Sequence, residues 1–243
     1  MKKKMSNPNS LFLEPPVYVV IHCATVGTKY HEILESILKR IIENKPFYER
    51  IKTIYIFTVG QTNINISKHS EKLRSQHLSD DASVGESLTI KTLAFMNLEE
   101  NSLILYVHSK GVSYDPNSVT FSNVTAWRKY LEYFMIDRWQ DCLKKIIEAG
   151  FDTVGTEIKA VETKNTFTSQ YPSGSYLIPR HYSGNFWWAK FSLIKRRIRN
   201  LGSFRNAVEF WICSDGNIKA FNFFNSNKNL YLEKIEESEY IGK

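Results

Sequence analysis

The chain has 243 residues and a formal net charge of +7; 42% of its residues are hydrophobic, 23% charged and 14% aromatic. That is the make-up of a globular protein with enough chain for one large domain and a sizeable core. The longest apolar runs, Val17–Ile21 and Leu103–Val107, are about a quarter of the ~20 residues that span a bilayer, which excludes a transmembrane helix, while the positive charge favours anionic partners: nucleic acid, a membrane surface or a phosphorylated small molecule.

Residues 1–15 are polar and Lys/Asn-rich, and read as a flexible lead-in that ends at Pro15-Pro16. Its basic start is like a secretory n-region, but Asn7, Pro8, Asn9, Glu14 and Pro15 interrupt the apolar stretch a leader needs, so a cytosolic location is expected. Val17–Cys23 is a strand, and Tyr30–Asn44 carries Ile33, Leu34, Ile37, Leu38, Ile41 and Ile42 at helical spacing. Lys52–Val59 follows as a second strand, which makes a β-α-β unit whose continuous apolar strands imply a parallel sheet covered on both faces. Gly60–Asp81 is polar and reads as loop; a metal site on its His69 and His77 is not expected, because so polar a segment fixes no ligand geometry.

Gly85–Met96 is the next helix and Leu103–Val107 the third strand. The longest helical signal, Val124–Ala149, is apolar at Trp127, Tyr130, Leu131, Phe134, Trp139, Leu143, Ile146 and Ile147, and Gly150 stops it. Phe151–Thr156 is a short strand, Glu157–Ser175 a loop, Phe191–Leu201 a basic helix, and Val208–Ile212 with Asn217–Phe224 the last ordered pieces. Cys23, Cys142 and Cys213 are isolated and read as buried thiols rather than a disulfide framework or zinc site. The reading is a single α/β domain over residues 16–230, Rossmann-like with a mostly parallel central sheet flanked by helices, followed by a tail at 231–243.

Two segments carry chemistry. His108-Ser109-Lys110-Gly111 leaves a buried strand at its carboxyl end, where α/β sheets bind ligands. A His and a Lys beside a glycine turn suit a diphosphate, although His108 can equally be a buried histidine bonded to backbone. The second is His181-Tyr-Ser-Gly-Asn-Phe-Trp-Trp-Ala-Lys190. Adjacent aromatics on an extended segment point to opposite faces, so Trp187 and Trp188 cannot share a pocket. Either one indole faces a cleft as a sugar platform, with His181, Ser183, Gly184 and Asn185 as further contacts, or both indoles pack in the core.

The order of these segments, with Trp127-Arg-Lys-Tyr130, Phe151-Asp-Thr-Val-Gly155 and Glu209-Phe-Trp-Ile212 between and after them, resembles a family of GT-A type glycosyltransferases from bacterial surface-glycan clusters and large DNA viruses. The resemblance covers roughly Val17–Phe224 and rests on the H-S-K-G and H-Y-S-G-N-F-W-W segments together. It implies transfer of a sugar from a nucleotide-sugar such as a UDP-sugar to a glycan or other hydroxyl acceptor, with the donor in the first half and the acceptor in the second. On that basis His108, Ser109, Lys110 and Gly111 hold the diphosphate. Ser183, Gly184, Asn185, Trp187 and Trp188 contact sugar or acceptor, and Glu209 is the base for an inverting transfer, with His181 as the other candidate.

Alternatives stand beside these roles. Glu209 can instead pair with Arg205, and Arg128, near the long helix's start, is either a phosphate contact or a surface charge. Glu86 is either a helix cap or a ribose contact. Most GT-A enzymes bind Mn or Mg through Asp-x-Asp, which is absent from this sequence. Either Lys110 replaces the cation's charge, or His108 binds a metal with a remote carboxylate such as Asp115 or Asp215. The basic face at Lys195, Arg196, Arg197 and Arg199 is either solvated or suited to an acceptor on anionic lipid. Two further function classes remain: a non-catalytic nucleotide-sugar or glycan-binding module of the same fold and, last, a nucleic-acid binder, whose basic residues are scattered rather than interleaved with aromatics.

Overall fold

The computed structural model describes residues 14–61, 70–159, 179–202 and 205–243. Residues 1–13, His69, the side chain of Arg205 and most of the loop expected at 157–175 lie outside the described residues.

The β-α-β start forms as its pattern dictates. Strand β1 (Val17–Thr25) is buried along nearly its whole length, and helix α1 (Tyr30–Glu43) turns Ile33, Leu34, Ile37, Leu38 and Ile41 onto the sheet. A short helix α2 (Lys45–Arg50), with Pro46 in its first turn and the Asn44 side chain accepting from the Phe47 amide, leads into β2 (Ile51–Gly60), parallel to β1. Pro at that position lacks only a donor the helix does not use, and Asn44 satisfies one that it would leave open.

The polar stretch 60–81 is not all loop. Strand β3 (Leu73–Ser79) runs parallel to β2 at the sheet edge and buries only Leu73. An edge strand with one partner needs no apolar face, so hydropathy alone does not reveal it.

Helix α3 (Gly85–Ala94) and β4 (Leu103–His108), parallel to β1, follow the expected pattern. The long helical segment is two helices. α4 (Val119–Glu132) begins ahead of the expected start because Ser118 accepts from the Phe121 amide as its N-cap, and a π-helical turn at Tyr133–Asp137 separates it from α5 (Trp139–Ile147). The turn keeps Phe134, Met135 and Ile136 buried, so the apolar signal does not lapse where the helix changes.

The remaining strands are β5 (Thr153–Gly155), β6 (Ile158–Lys159), β7 (His181–Tyr182), β8 (Trp187–Lys190) and β9 (Ala220–Asn222). β6 and β7 pair with each other, and the main sheet has seven strands in the order β3-β2-β1-β4-β8-β5-β9. Only β8 is antiparallel to its neighbours, β4 and β5. The chain is thus a mixed α/β protein with a mostly parallel central sheet flanked by helices. After β8, α6 (Phe191–Arg197) packs on the sheet, and near the C-terminus α7 (Glu237–Tyr240) packs on α4 and the π-helical turn through Tyr240, which lies against Tyr130, Tyr133 and Phe134; Ile235 and Tyr240 of the expected tail are buried in the core. Among the described residues no helix is long and apolar enough to cross a membrane.

Two apolar clusters cover the sheet. Trp188 joins the one with α1, α4 and α5, and Trp187 joins the one with Ile90, Leu93, Phe191 and Trp211. The alternation expected for the tryptophan pair holds, but neither ring faces a cleft, since both are fully buried. Trp187 stacks on Tyr106 with centroids 4.9 Å apart, and the Trp188 indole donates to the Met135 carbonyl at 2.8 Å. A sheet covered on both faces buries both members of an adjacent pair, and the sugar-platform expectation fails for that reason.

Candidate functional site

The carboxyl ends of β1 and β4 open into a cleft of about 480 Å3 whose walls include His22, Glu86, the His108–Tyr114 loop, Glu209 and Tyr231. Parallel strands end together, so their last side chains and following loops converge on one rim; His22 and His108 are direct partners across β1 and β4. Ser109 ties the loop down, its amide donating to the His22 carbonyl at 2.9 Å and its hydroxyl accepting from the Ala24 amide at 3.0 Å. Gly111 takes φ +102°, a conformation that a side chain would strain.

Lys110 is only 7% exposed, and its ammonium sits 3.7 Å from the centroid of the Trp127 ring. No carboxylate ion-pairs with it among the described residues. Burial lowers its pKa, and the nearby Glu209 and Glu86 carboxylates oppose that shift. The indole face offsets part of the desolvation, as ring quadrupoles do for cations. Glu209 lines the same cleft, and burial raises its pKa, with Glu86 adding to the rise and Lys110 working against it. The cleft therefore combines a buried cation without a hydrogen-bonded anion and a carboxyl group shifted toward neutrality.

The floor is a polar network around Glu86. Its Oε2 accepts from the Tyr106 hydroxyl and the Asn185 side chain, each at 2.7 Å, and Asn185 in turn accepts from the Trp187 indole at 2.9 Å. His108 Nε2 donates to the Gly184 carbonyl at 2.9 Å, which leaves Nδ1 facing Glu86 Oε1 at 3.7 Å. Burial pulls His108 below the ordinary histidine range, and it takes His22 to about 4, so both rings are neutral near pH 7. Burial alone would raise Glu86, but His108, His22 and the Tyr106 and Asn185 hydrogen bonds bring it below the usual carboxylate range.

Of the expected site residues, His108, Ser109, Lys110, Gly111 and Glu209 share this cleft. Gly184 and Asn185 hold its floor from behind, at φ +93° and +54°. A Cβ on Gly184 would lie 2.7 Å from Leu131 Cδ1, which would have to shift, and at φ +93° any side chain would be strained. Ser183 lines a separate hollow.

Four expectations are corrected. Arg128 is buried, with its Nε 3.2 Å from Glu132, and does not line the cleft. His181 donates from Nδ1 to the Pro179 carbonyl at 2.9 Å and packs edge-on to Phe210, likewise away from the cleft walls. Asp215 pairs with Arg197 at 3.2 Å rather than joining His108, and Asp115 accepts from the Asn117 amide within its own loop. The basic helix does not present its cations as one free face, because Arg197 is buried and Lys195 pairs with Glu100. The cleft offers no ready-made metal centre. Glu86 Oε2, His108 Nε2 and His22 Nδ1 are already engaged, and among the described residues no three His, Cys, Asp or Glu groups converge to hold an ion.

Sequence reasoning missed His22, Tyr231 and the anchoring role of Glu86. His22 had a signal, as the one strongly polar side chain in the Val17–Cys23 run. Tyr231 had none, because it falls where the tail was expected to begin.

No protein-family model matches the chain, and no curated protein matches it in sequence. Among solved structures, the bifunctional IspDF from Campylobacter jejuni aligns at 12% identity and a TM-score of 0.47 over 90% of this chain, which spans about half (52%) of that one. A 4-diphosphocytidyl-2C-methyl-D-erythritol synthase from Anaerococcus prevotii aligns at 12% identity and a TM-score of 0.44, with 94% of each chain covered. The 2-C-methyl-D-erythritol 4-phosphate cytidylyltransferase of Francisella tularensis aligns at 11% and 0.45, over 92% of this chain and 95% of its own. Likenesses of this size bear on neither activity nor substrate.

Proposed function

We propose that the chain is a transferase that binds a nucleotide-activated donor in the cleft at the ends of β1 and β4, and specifically a glycosyltransferase that moves the donor's sugar to a hydroxyl acceptor. The observation that supports this reading is the pairing, in one cleft, of the Lys110 ammonium with a Glu209 carboxyl of raised pKa. Lys110 meets the charge of the diphosphate, and its burial makes that contact stronger than it would be in water. In an inverting transfer Glu209 takes the acceptor's proton as the acceptor oxygen bonds to the anomeric carbon. The bond from that carbon to the phosphate oxygen breaks, and its electron pair leaves with the nucleoside diphosphate. A retaining course needs no such base.

The test is release of nucleotide from a panel of UDP-, GDP- and CDP-sugars by the wild type and by Glu209→Gln. Release by the wild type that falls at least 100-fold in the variant, roughly the contribution of one general base, supports the proposal. Tight nucleotide binding without release would instead make the chain a binding module, and neither binding nor release would sink the reading.

A further inference from the structure

The Lys110 ammonium has a second aromatic neighbour besides Trp127. It lies 3.7 Å from the Trp127 centroid and 5.7 Å from that of Tyr231, and the two rings stand perpendicular with their centroids 5.0 Å apart. Both distances fall within the ~6 Å over which a ring quadrupole attracts a cation. The ammonium thus sits in an aromatic corner whose walls come from distant parts of the chain, Trp127 from α4 and Tyr231 from the C-terminal segment.

Core packing does not account for the Tyr231 ring. The residue is 42% exposed, whereas Leu230 and Ile235 on either side of it are 4% and 2% exposed and anchor the segment. Its backbone is fixed as well: the Asn123 side chain donates to its carbonyl at 3.2 Å, and its amide donates to the Asn229 side chain at 3.2 Å. Partial burial and then the Glu209 carboxylate raise the pKa of its hydroxyl, so the ring is neutral beside the ammonium. Neighbouring residues therefore hold Tyr231 in place, and its ring is left to line the cleft and face the cation there.

We infer that Tyr231 is a positioning residue for the diphosphate site: with Trp127 it confines the Lys110 ammonium to one point of the cleft before any anion arrives. A lysine side chain has many rotamers, and freezing them on binding costs affinity; a pre-formed corner avoids that cost. Rings can confine the cation where a carboxylate partner cannot, because a carboxylate would neutralise the charge that the diphosphate needs and would have to be displaced. The corner itself is independent of any ligand. Its part in diphosphate binding rests on the transferase reading.

The test compares the wild type, Tyr231→Ala and Tyr231→Phe, each as the full chain. It follows the side-chain methylene resonances of Lys110, identified by their loss in Lys110→Met, and calorimetric titrations with UDP, GDP and CDP and with the corresponding nucleosides. In Tyr231→Ala the Lys110 methylene protons, shifted upfield by the rings in the wild type, should move toward the position of a free lysine. The Kd of the diphosphate that binds should rise about threefold to tenfold while nucleoside binding is unchanged. Tyr231→Phe keeps the ring and should restore both readouts, and Tyr231→Leu takes the place of the alanine variant if that one does not fold. A Lys110 signal that stays in place in Tyr231→Ala overturns the inference. So does a diphosphate affinity that Tyr231→Ala leaves intact while Lys110→Met lowers it, or a phenylalanine variant no better than the alanine one; each of these leaves the transferase reading standing. A wild type that binds none of the three diphosphates would sink the transferase reading and the positioning role together.

Discussion

Replacing Lys110 with Met removes the ammonium and keeps an unbranched apolar stem, so it separates the charge from the packing. In the free protein the variant loses a cation–π contact, 3.7 Å from the Trp127 centroid, worth roughly 0.5–2 kcal/mol, and is relieved of burying an ammonium. Those effects oppose each other, and volume-conserving core swaps cost less than about 1.5 kcal/mol, so the fold should survive. The diphosphate, in contrast, loses a charge-assisted hydrogen bond worth roughly 1.5–3 kcal/mol, which weakens its Kd roughly 10- to 150-fold. Calorimetric titration with UDP, GDP and CDP and with the corresponding nucleosides reads this directly: the diphosphate should lose affinity while the nucleoside does not. Added salt should weaken the wild type more than the variant. The reasoning is refuted if diphosphate affinity is unchanged in Lys110→Met, or if the nucleoside weakens as much, which would show that the cleft had deformed.

Trp188→Ala empties a fully buried site that packs against Phe47 and hydrogen-bonds Met135. It should cost roughly 3–5 kcal/mol, a fall of roughly 6–20 °C in Tm by scanning calorimetry, and a fall under about 2 °C would return the ring to a cleft wall. The pH profile of turnover at saturating donor should show an acid limb above the ordinary carboxylate range, because burial raises the Glu209 pKa and the base must be ionised to work. Lys110 lowers that pKa, so Lys110→Met should move the limb to higher pH. A limb at or below the ordinary range, or one that Glu209→Gln leaves in place, would remove Glu209 from the role.

What the sequence reveals follows from which forces leave a hydropathy trace. β1, β2 and β4 are buried on both faces and announce themselves as apolar runs, and α1 does so through its single apolar stripe. β3 is held by backbone hydrogen bonds at an edge, which impose no side-chain pattern. The π-helical turn between α4 and α5 is equally silent, since its residues are as buried as those of the helices on either side. The strand-end rule leads to the His108–Gly111 loop from the third strand alone. Tyr231 reaches the cleft from far along the chain, a long-range contact that no local pattern encodes.

The segment from His181 to Lys190 shows how a motif can be chemically suggestive at the wrong atoms. Its mixture of aromatic and small polar residues suits a sugar platform, yet the two indoles lie in opposite cores, and burial on both faces fixes β8 between β4 and β5. That fixation gives the preceding turn its geometry. Gly184 and Asn185 are held at positive φ against Leu131 and Trp127, and the turn delivers a carbonyl to His108 and an amide to Glu86. The tryptophans act one step removed from any ligand: they hold the turn that orients His108 and Glu86, and those residues form the cleft floor beside Lys110. The segment is therefore a positioning element, and on this reading substitutions at Trp187 or Trp188 reach the cleft only through stability and the placement of that floor.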